Sequence, residues 1–260
     1  MYGLIGSVLQ HSYSREIHNA FGIKNYTLFE LNEKQFVEKI KNKDFLGLNI
    51  TVPYKKQVIP LLDHLDSSAE IIGAVNTVIN RNGTLIGYNT DYYGLEYLLK
   101  KHNVIVSQKK VLVLGNGGVA QTVFHYLHTH NVSNFLIVKQ HASVGVISYE
   151  EAKKNYYDYE IIINTSPVGM YPNIDKSPMS IEGYNNLSAV IDLIANPQKT
   201  QLLMEANERG IVAIGGLEML VAQAKRAQEL FRNTHIPDEK IDEVTKMIGD
   251  LMTKHLTVIS

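Results

Sequence analysis

The sequence contains no cysteine among its 260 residues. That absence excludes disulfides, thiolate zinc sites, iron–sulfur clusters and a cysteine nucleophile, and it is compatible with a reducing cytoplasm. A basic surplus is lacking too, since 25 Lys plus Arg stand against 26 Asp plus Glu for a formal net charge of −1. With little to neutralise a phosphate backbone, no nucleic-acid partner is expected. Nowhere do about 18 apolar residues run together, so no membrane span is expected. The opening MYGLIGSVLQ has neither a basic n-region nor a sufficient apolar run, so no signal peptide is expected. Internal repeats and low-complexity tracts are missing as well. What is present is an ordinary globular composition, 45% hydrophobic and 20% charged. It is long enough for one large domain or two modest ones and points to an enzyme or small-molecule binder.

Short apolar runs alternate with amphipathic stretches, the pattern of an α/β fold. Strands are predicted over 3–5, 26–31, 47–51, 74–79, 85–88, 110–114, 134–138, 160–164, 189–192 and 212–214. Helices are predicted over 15–21, 34–42, 54–65, 92–102, 119–129, 150–156, 200–209, 216–231 and 238–255. The style changes near 99–106, after which Lys110 opens a mononucleotide-binding pattern. The last two helices are long and can pack back on the first unit. The predicted domains are therefore 1–93 with 218–260, and 94–217.

Residues 109–121 read KKVLVLGNGGVAQ, a buried parallel strand running into a glycine turn and an apolar helix. Glycines at Gly115, Gly117 and Gly118 let backbone N–H groups approach a pyrophosphate at the helix N-terminus, and Ala120 is small enough for helix–strand packing. The competing reading is a structural glycine-rich turn. The next strand ends in Lys139, Gln140 and His141, with no carboxylate to hold a ribose 2′-OH. A lysine there attracts a 2′-phosphate, which favours NADP; the alternative is a solvated loop with incidental charge.

Three segments of the first unit carry candidate chemistry. In His11-Ser12-Tyr13-Ser14 the hydroxyls of Ser12 and Ser14 can converge on an anion, or a serine can cap the following helix. Residues 49–56, NITVPYKK, read as a strand ending at a proline-initiated helix, with Lys55 in the first turn. There the helix dipole and Lys56 disfavour an ammonium, the direction a general acid/base lysine needs, although most lysines are merely solvated. Asp91, in GYNTD, lies at another strand-to-helix junction, where it can cap the helix or pair with Lys55 to shuttle a hydroxyl proton. A carboxylate beside Lys55 opposes the dipole, so the net effect is undecided. His125, His128 and His130 cluster near a helix end, but no carboxylate completes a metal set, and no metal is expected.

In order and spacing these segments resemble the shikimate dehydrogenase family. The family's Ser-x-Ser is similar to Ser12 and Ser14, followed by His18-Asn19. Its N-[VI]-T-x-P-x-K is similar to Asn49 through Lys55, its G-A-V-N-T to Gly73 through Thr77, and its N-T-D-x-x-G to Asn89 through Gly94. The glycine turn resembles Gly115-Asn116-Gly117-Gly118. N-x-[ST]-x-x-G-M resembles Asn164 through Met170, and Asp192, Asn196-Pro197 and Thr200 resemble the segment near the nicotinamide. Gly216-Leu217 with Met219 through Gln223 resembles the closing helix.

The resemblance implies a substrate domain completed by the C-terminal helices and a Rossmann-like NADP domain, with the active site in a cleft between them. It implies reversible NADPH-dependent reduction of 3-dehydroshikimate to shikimate on the way to aromatic amino acids. Ser12 and Ser14 would bind the substrate carboxylate. Thr51, Lys55, Asn76, Asp91 and Gln223 would hold the ring hydroxyls, with Lys55 and Asp91 carrying the proton. Gly115, Asn116, Gly117, Gly118, Val119, Lys139, Gln140, His141, Leu193 and Gly216 would line the cofactor site. The implied protein is a cytoplasmic monomer or homodimer.

Several positions depart from the family pattern. Arg15 replaces the proline after the second serine, and Lys139-Gln140-His141 replaces an Asn-Arg-Thr whose arginine grips the 2′-phosphate. Ala195 stands for a substrate-side tyrosine, and a helix after the second strand of the NADP domain is expected to be lost. A paralogue acting on quinate or an amino-shikimate, or a catalytically weakened binder, remains as an alternative.

Overall fold

The computed structural model describes residues 1–10 and 12–259, with side chains through His255. His11, in the predicted anion-binding segment, lies outside the described residues. Two compact units divide the chain: Met1–Gly94 with Val221–Val258, and Leu95–Leu220. Both crossings fall inside helices rather than in loops.

The first unit runs β1 (Tyr2–Gly6), α1 (Ser14–Ala20), β2 (Tyr26–Glu30), α2 (Glu33–Asn42), β3 (Gly47–Ile50), β4 (His64–Leu65), α3 (Ser67–Ile72), β5 (Thr77–Arg81) and β6 (Thr84–Tyr88). Its six-stranded sheet has the order β2-β1-β3-β5-β6-β4. β1 is parallel to β2 and β3, whereas β5 is antiparallel to both β3 and β6. Asn82 and Gly83, both at positive φ, make the two-residue turn between β5 and β6, a geometry that Asn-Gly adopts at low cost. Asn32 and Gln35 form a capping box that starts α2. Phe36, Ile40, Leu48, Ile50, Val58 and Leu85 form the core on one sheet face.

The second unit contains the rest of α4 (Asp91–Lys101), then β7 (Lys110–Leu114), α5 (Gly118–Thr129), β8 (Asn134–Lys139), β9 (Val146–Ser148), α6 (Tyr149–Asn155), β10 (Ile161–Asn164), β11 (Ala189–Asp192), α7 (Gln201–Glu208), β12 (Val212–Gly215) and the start of α8 (Leu217–Arg232). All its strands are parallel, in the order β12-β11-β10-β7-β8-β9. This is the doubly wound order, whose topological switch point lies between β7 and β10. Leu112, Leu114, Ile162 and Val190 form its core with Leu202 and Tyr184. The remainder of α8 and α9 (Glu239–Ile259) belong to the first unit, where Phe231 and Ala227 pack with Leu4, Tyr26 and Ile79 on the second face of its sheet.

The structure corrects two expectations and agrees with a third, the loss of a helix after the second strand of the second unit. No α-helix spans 54–65: residues 52–58 are turns, followed by a 3-10 turn over Ile59–Leu61 and then β4. Pro60 has no N–H for the helical ladder and disfavours helix at Ile59. The strand expected from residue 74 begins at Thr77, and α3 and β4 were not anticipated. After β8, residues 140–145 return without a helix and feed β9, where Ile137 pairs with Val146 and Lys139 with Ser148. Because Ile137 pairs with Val146, the chain turns straight back after Lys139, and six residues suffice where parallel connections ordinarily need a dozen.

Candidate active site

The sheet of the first unit gathers the predicted residues at one edge. β1 and β3 end there, at Gly6 and Ile50, leading to Ser12, Ser14, Thr51 and Lys55. Because β5 runs antiparallel to β3, its N-terminus lies at the same edge and brings Asn76 there. β6 returns to that edge and delivers Asn89, Thr90 and Asp91 at the start of α4. Strand direction alone thus converts four separated segments into one cluster.

Lys55 Nζ lies 2.6 Å from Asp91 Oδ2, with the side chains 16% and 10% exposed. The pair is shielded enough to interact strongly, yet open enough for a substrate oxygen to reach it. Asn76 Nδ2 donates to Asp91 Oδ1 at 2.8 Å and to Thr90 Oγ1 at 3.0 Å. Asn76 Oδ1 accepts from Thr90 N at 2.8 Å and from Thr77 Oγ1 at 3.1 Å. The nitrogen end of the Asn76 amide thus orients the Asp91 carboxylate, while its oxygen anchors the amide to Thr90 and Thr77. From α8, Gln223 Oε1 accepts from Thr90 Oγ1 at 3.3 Å and from Asn76 Nδ2 at 3.4 Å. Thr51 N donates to Ile5 O at 2.9 Å, which ties the residue to the end of β1.

The predicted first-turn position of Lys55 is not found, because no helix forms there, and the dipole argument falls with it. Lys55 is held by a turn whose carbonyl accepts from Val75 N at 2.8 Å, and by its carboxylate partner. Asp91 opens α4, its N–H donating to Asn89 Oδ1 at 3.1 Å. Ser12 and Ser14 converge, their hydroxyls 3.1 Å apart. Neither serine is the N-cap of α1; that residue is Tyr13, which makes no side-chain cap bond. Arg15 donates from Nε to Tyr26 O at 3.3 Å, at the start of β2 and so at the opposite edge of the sheet.

Behind the cluster lies a buried polar network that the residue types did not announce. Asn49 accepts from Tyr26 OH at 2.6 Å and donates to Asn76 O and Thr77 Oγ1. His18 stacks on Tyr26 with ring centroids 4.1 Å apart and bonds Gln228 at 3.2 Å. Its complete burial pushes the imidazole down to about 4, with the bonds to Gln228 and Asn49 opposing. Only the clustering of Asn49, Asn76, Asn89 and Thr90 in otherwise apolar segments hints at it in the sequence. The candidate metal histidines serve packing: His130 stacks on Tyr126 at 3.8 Å, and His128 meets the Phe135 ring edge-on.

In the second unit the glycine turn occupies the switch point. Gly115 has φ +105°, and a Cβ on it would meet Thr165 Oγ1 at 2.8 Å and Ser166 N at 3.0 Å. Only glycine fits that backbone and that approach. Gly117 caps α5 with no side-chain bond, and a Cβ there would meet nothing within 4 Å. The first N–H groups of α5, from Gly118 and Val119, follow this uncrowded Gly117, where a pyrophosphate can approach the helix N-terminus. Asn116 Oδ1 accepts from Gln121 Nε2 at 3.1 Å. Lys139, Gln140 and His141 are all exposed at the end of β8. Leu193 and Gly216 meet through their backbones, and a Cβ on Gly216 would clash with Leu193 O.

At the ends of β10 and β11, Asp192 is fully buried and accepts from Asn164 Nδ2 at 3.0 Å, Thr200 Oγ1 at 2.7 Å and Ile194 N at 3.1 Å. Burial pushes its carboxyl up to about 6 against those three bonds. Among the described residues no group of histidine, aspartate and glutamate is arranged to hold a metal, and no helix is long and apolar enough to cross a membrane.

A doubly wound parallel sheet with a glycine turn at its switch point, joined to a second α/β unit, is the architecture of the Rossmann-like dinucleotide-binding class. A family model for the shikimate dehydrogenase substrate binding domain matches residues 4–78. Shikimate dehydrogenase (NADP(+)) of Clostridium beijerinckii is 36% identical over 259 residues, covering 93% of this chain and 95% of that protein. Among solved structures, a chorismate mutase/shikimate 5-dehydrogenase fusion protein from Clostridium acetobutylicum is 36% identical with a TM-score of 0.90, covering 97% of this chain and 98% of that one. Shikimate 5-dehydrogenase from Thermus thermophilus, solved in complex with NADP(H) and shikimate, is 25% identical with a TM-score of 0.83, covering 95% and 98%. The chain belongs to the shikimate dehydrogenase family.

Proposed function

We propose that this protein is an NADP-linked oxidoreductase that reversibly reduces 3-dehydroshikimate to shikimate, a step toward aromatic amino acids. The observation that carries the proposal is the Lys55–Asp91 pair, 2.6 Å apart and only partly shielded from solvent. NADPH, held by residues 115–119, would supply the hydride for the ketone carbon. The Lys55 ammonium donates its proton to the ketone oxygen as that oxygen gains charge, and Asp91 holds the ammonium in place. In the reverse direction Lys55 takes the proton from the hydroxyl. Positioned acid/base groups of this kind contribute about 10²–10⁴-fold. Asn76 keeps the Asp91 carboxylate turned toward Lys55. Thr51, Asn76, Asp91 and Gln223 offer polar atoms to the ring hydroxyls, and the convergent hydroxyls of Ser12 and Ser14 suit a carboxylate.

The open helix N-terminus after Gly117 and the steric demand at Gly115 support a dinucleotide in the second unit. In this reading the first unit is the substrate domain and the second the NADP domain. Leu193 and Gly216 would line the cofactor site with residues 115–119. Lys139, beside Gln140 and His141, supports a 2′-phosphate in the absence of a carboxylate at the end of β8. A cytoplasmic location is part of the same proposal, to which the cysteine-free sequence is suited.

The test is a turnover panel of shikimate and quinate, each with NADP and with NAD. Shikimate with NADP should give the highest kcat/KM. A preference for quinate assigns the chain to the paralogue instead, and tight shikimate binding without turnover assigns it to a binding role.

A further inference from the structure

Lys225 on α8 is 2% exposed, yet it is surrounded by oxygen. Its Nζ lies 2.6 Å from Asp238 Oδ1, 3.1 Å from Tyr93 OH and 3.1 Å from Glu229 Oε1, so each of its three protons has an acceptor. Tyr93 OH also donates to Asp238 Oδ1 at 2.9 Å. Glu229, itself 5% exposed, accepts from Ile236 N at 2.9 Å and pairs with Arg226 at 3.2 Å and His235 at 3.4 Å. The cluster ties three elements together: α8, the first turn of α4, and the connection that leads into α9.

Its place in the chain gives it a consequence for the site. Tyr93 follows Asp91 by two residues, and Lys225 follows Gln223 by two. Side chains two apart on a helix project to nearly opposite sides, so the cluster lies behind the polar edge and not within it. Gln223 reaches Thr90 and Asn76 at 3.3 and 3.4 Å, long bonds that a small displacement of α8 would break. Buried ionic groups are a weak source of stability compared with apolar packing, and their better-attested use is to select one geometry among several.

We propose that Lys225 is a positioning residue: its ion cluster with Tyr93, Glu229 and Asp238 fixes α8 against α4 so that the Gln223 amide meets Asn76 and Thr90. The inference rests on the reading of Gln223 as a substrate-binding residue. Lys225→Met would take a buried cation from beside the Glu229 carboxylate and can fail to fold. The working variants are therefore Asp238→Asn, at an exposed carboxylate, and Tyr93→Phe.

Asp238→Asn should raise the KM for shikimate about 3- to 30-fold while kcat changes far less and the KM for NADP stays put. Tyr93→Phe should move the same parameter by less. In a Gln223→Ala background Asp238→Asn should add no further rise, because the step it acts through is gone. An undiminished rise in that background, or a lowered Tm with an unchanged KM, overturns the proposal. Should the wild-type protein turn over no shikimate, the functional reading falls by itself. The brace is then judged from NMR exchange of the Gln223 side-chain amide protons: faster exchange in Asp238→Asn supports it, and unchanged exchange overturns it.

Discussion

Lys55 and Asp91 are 36 residues apart in the chain, and their side chains close to 2.6 Å at one sheet edge. The contact exists because β3 and β6 run in the same direction with the antiparallel β5 between them, so both strand ends reach the same edge.

Removing the lysine tests the pair directly. Lys55→Ala should lower kcat by roughly 10²–10⁴-fold, since the proton donor is lost while the carboxylate keeps its bond from Asn76. The circular dichroism melt should stay near that of the parent. A kcat within a few-fold of the parent would take lysine out of the mechanism.

Gly115 offers a test of the glycine turn. Gly115→Ala places a methyl against Thr165 and Ser166 on a backbone at φ +105°, so a destabilisation of about 1–3 kcal/mol is expected. The KM for NADP should rise with it, because the shifted loop carries the first N–H groups of α5. Denaturant unfolding and cofactor titration together check this; a neutral substitution in both would show that the turn tolerates a side chain.

Cofactor choice tests the exposed loop after β8. Lys139→Glu should cut the ratio of kcat/KM for NADP over NAD, principally by raising the KM for NADP, since a like charge repels the 2′-phosphate. An unaltered ratio would move the source of the preference away from Lys139.

His18 provides a pH prediction. Its imidazole is depressed to about 4 in the fold from an ordinary 6.5, because burial disfavours the charged form. The unfolded chain therefore takes up a proton between those values that the native chain refuses. Stability is unaffected by this group above about 6.5 and falls as pH drops toward 4, the loss reaching ~3 kcal/mol at the acid end. Asp192 acts in the opposite sense: its raised carboxyl, at about 6, costs stability as pH rises from 3.8 through that value. Histidine NMR titration should place the His18 midpoint near 4, and a midpoint at 6.5 or above would sink the argument.

Much was readable before the tertiary structure. The apolar run of β7 is found at the predicted residues, 110–114, and β11 at 189–192. Local rules suffice there, because a buried parallel strand is a continuous apolar run and a glycine turn before a helix has few other uses. The motifs that named Lys55 and Asp91 were legible for the same reason: they are short and follow strand ends, whereas Gln223 lies within α8.

What failed was governed by contacts or by competing local signals. The helix expected over 54–65 gave way to turns because Pro60 interrupts a run whose apolar spacing otherwise suits a helix. β9 escaped notice because three residues carry almost no periodic signal, and it is a strand only through its pairing with β8. Lys225 looked like any charged residue on an amphipathic helix, since burial by Tyr93, Glu229 and Asp238 is a property of three separate elements.

The sequence by itself determined the identity of the chemical groups, the strand–turn–helix order and the places where only glycine or proline fits, because these depend on near neighbours along the chain. Only the tertiary structure decided that Lys55 meets Asp91, that both ends of the Asn76 amide are committed, and that a buried ion cluster stands behind Gln223. Those relationships require strand direction and helix packing to bring distant residues within a few ångströms, and no local pattern records that distance.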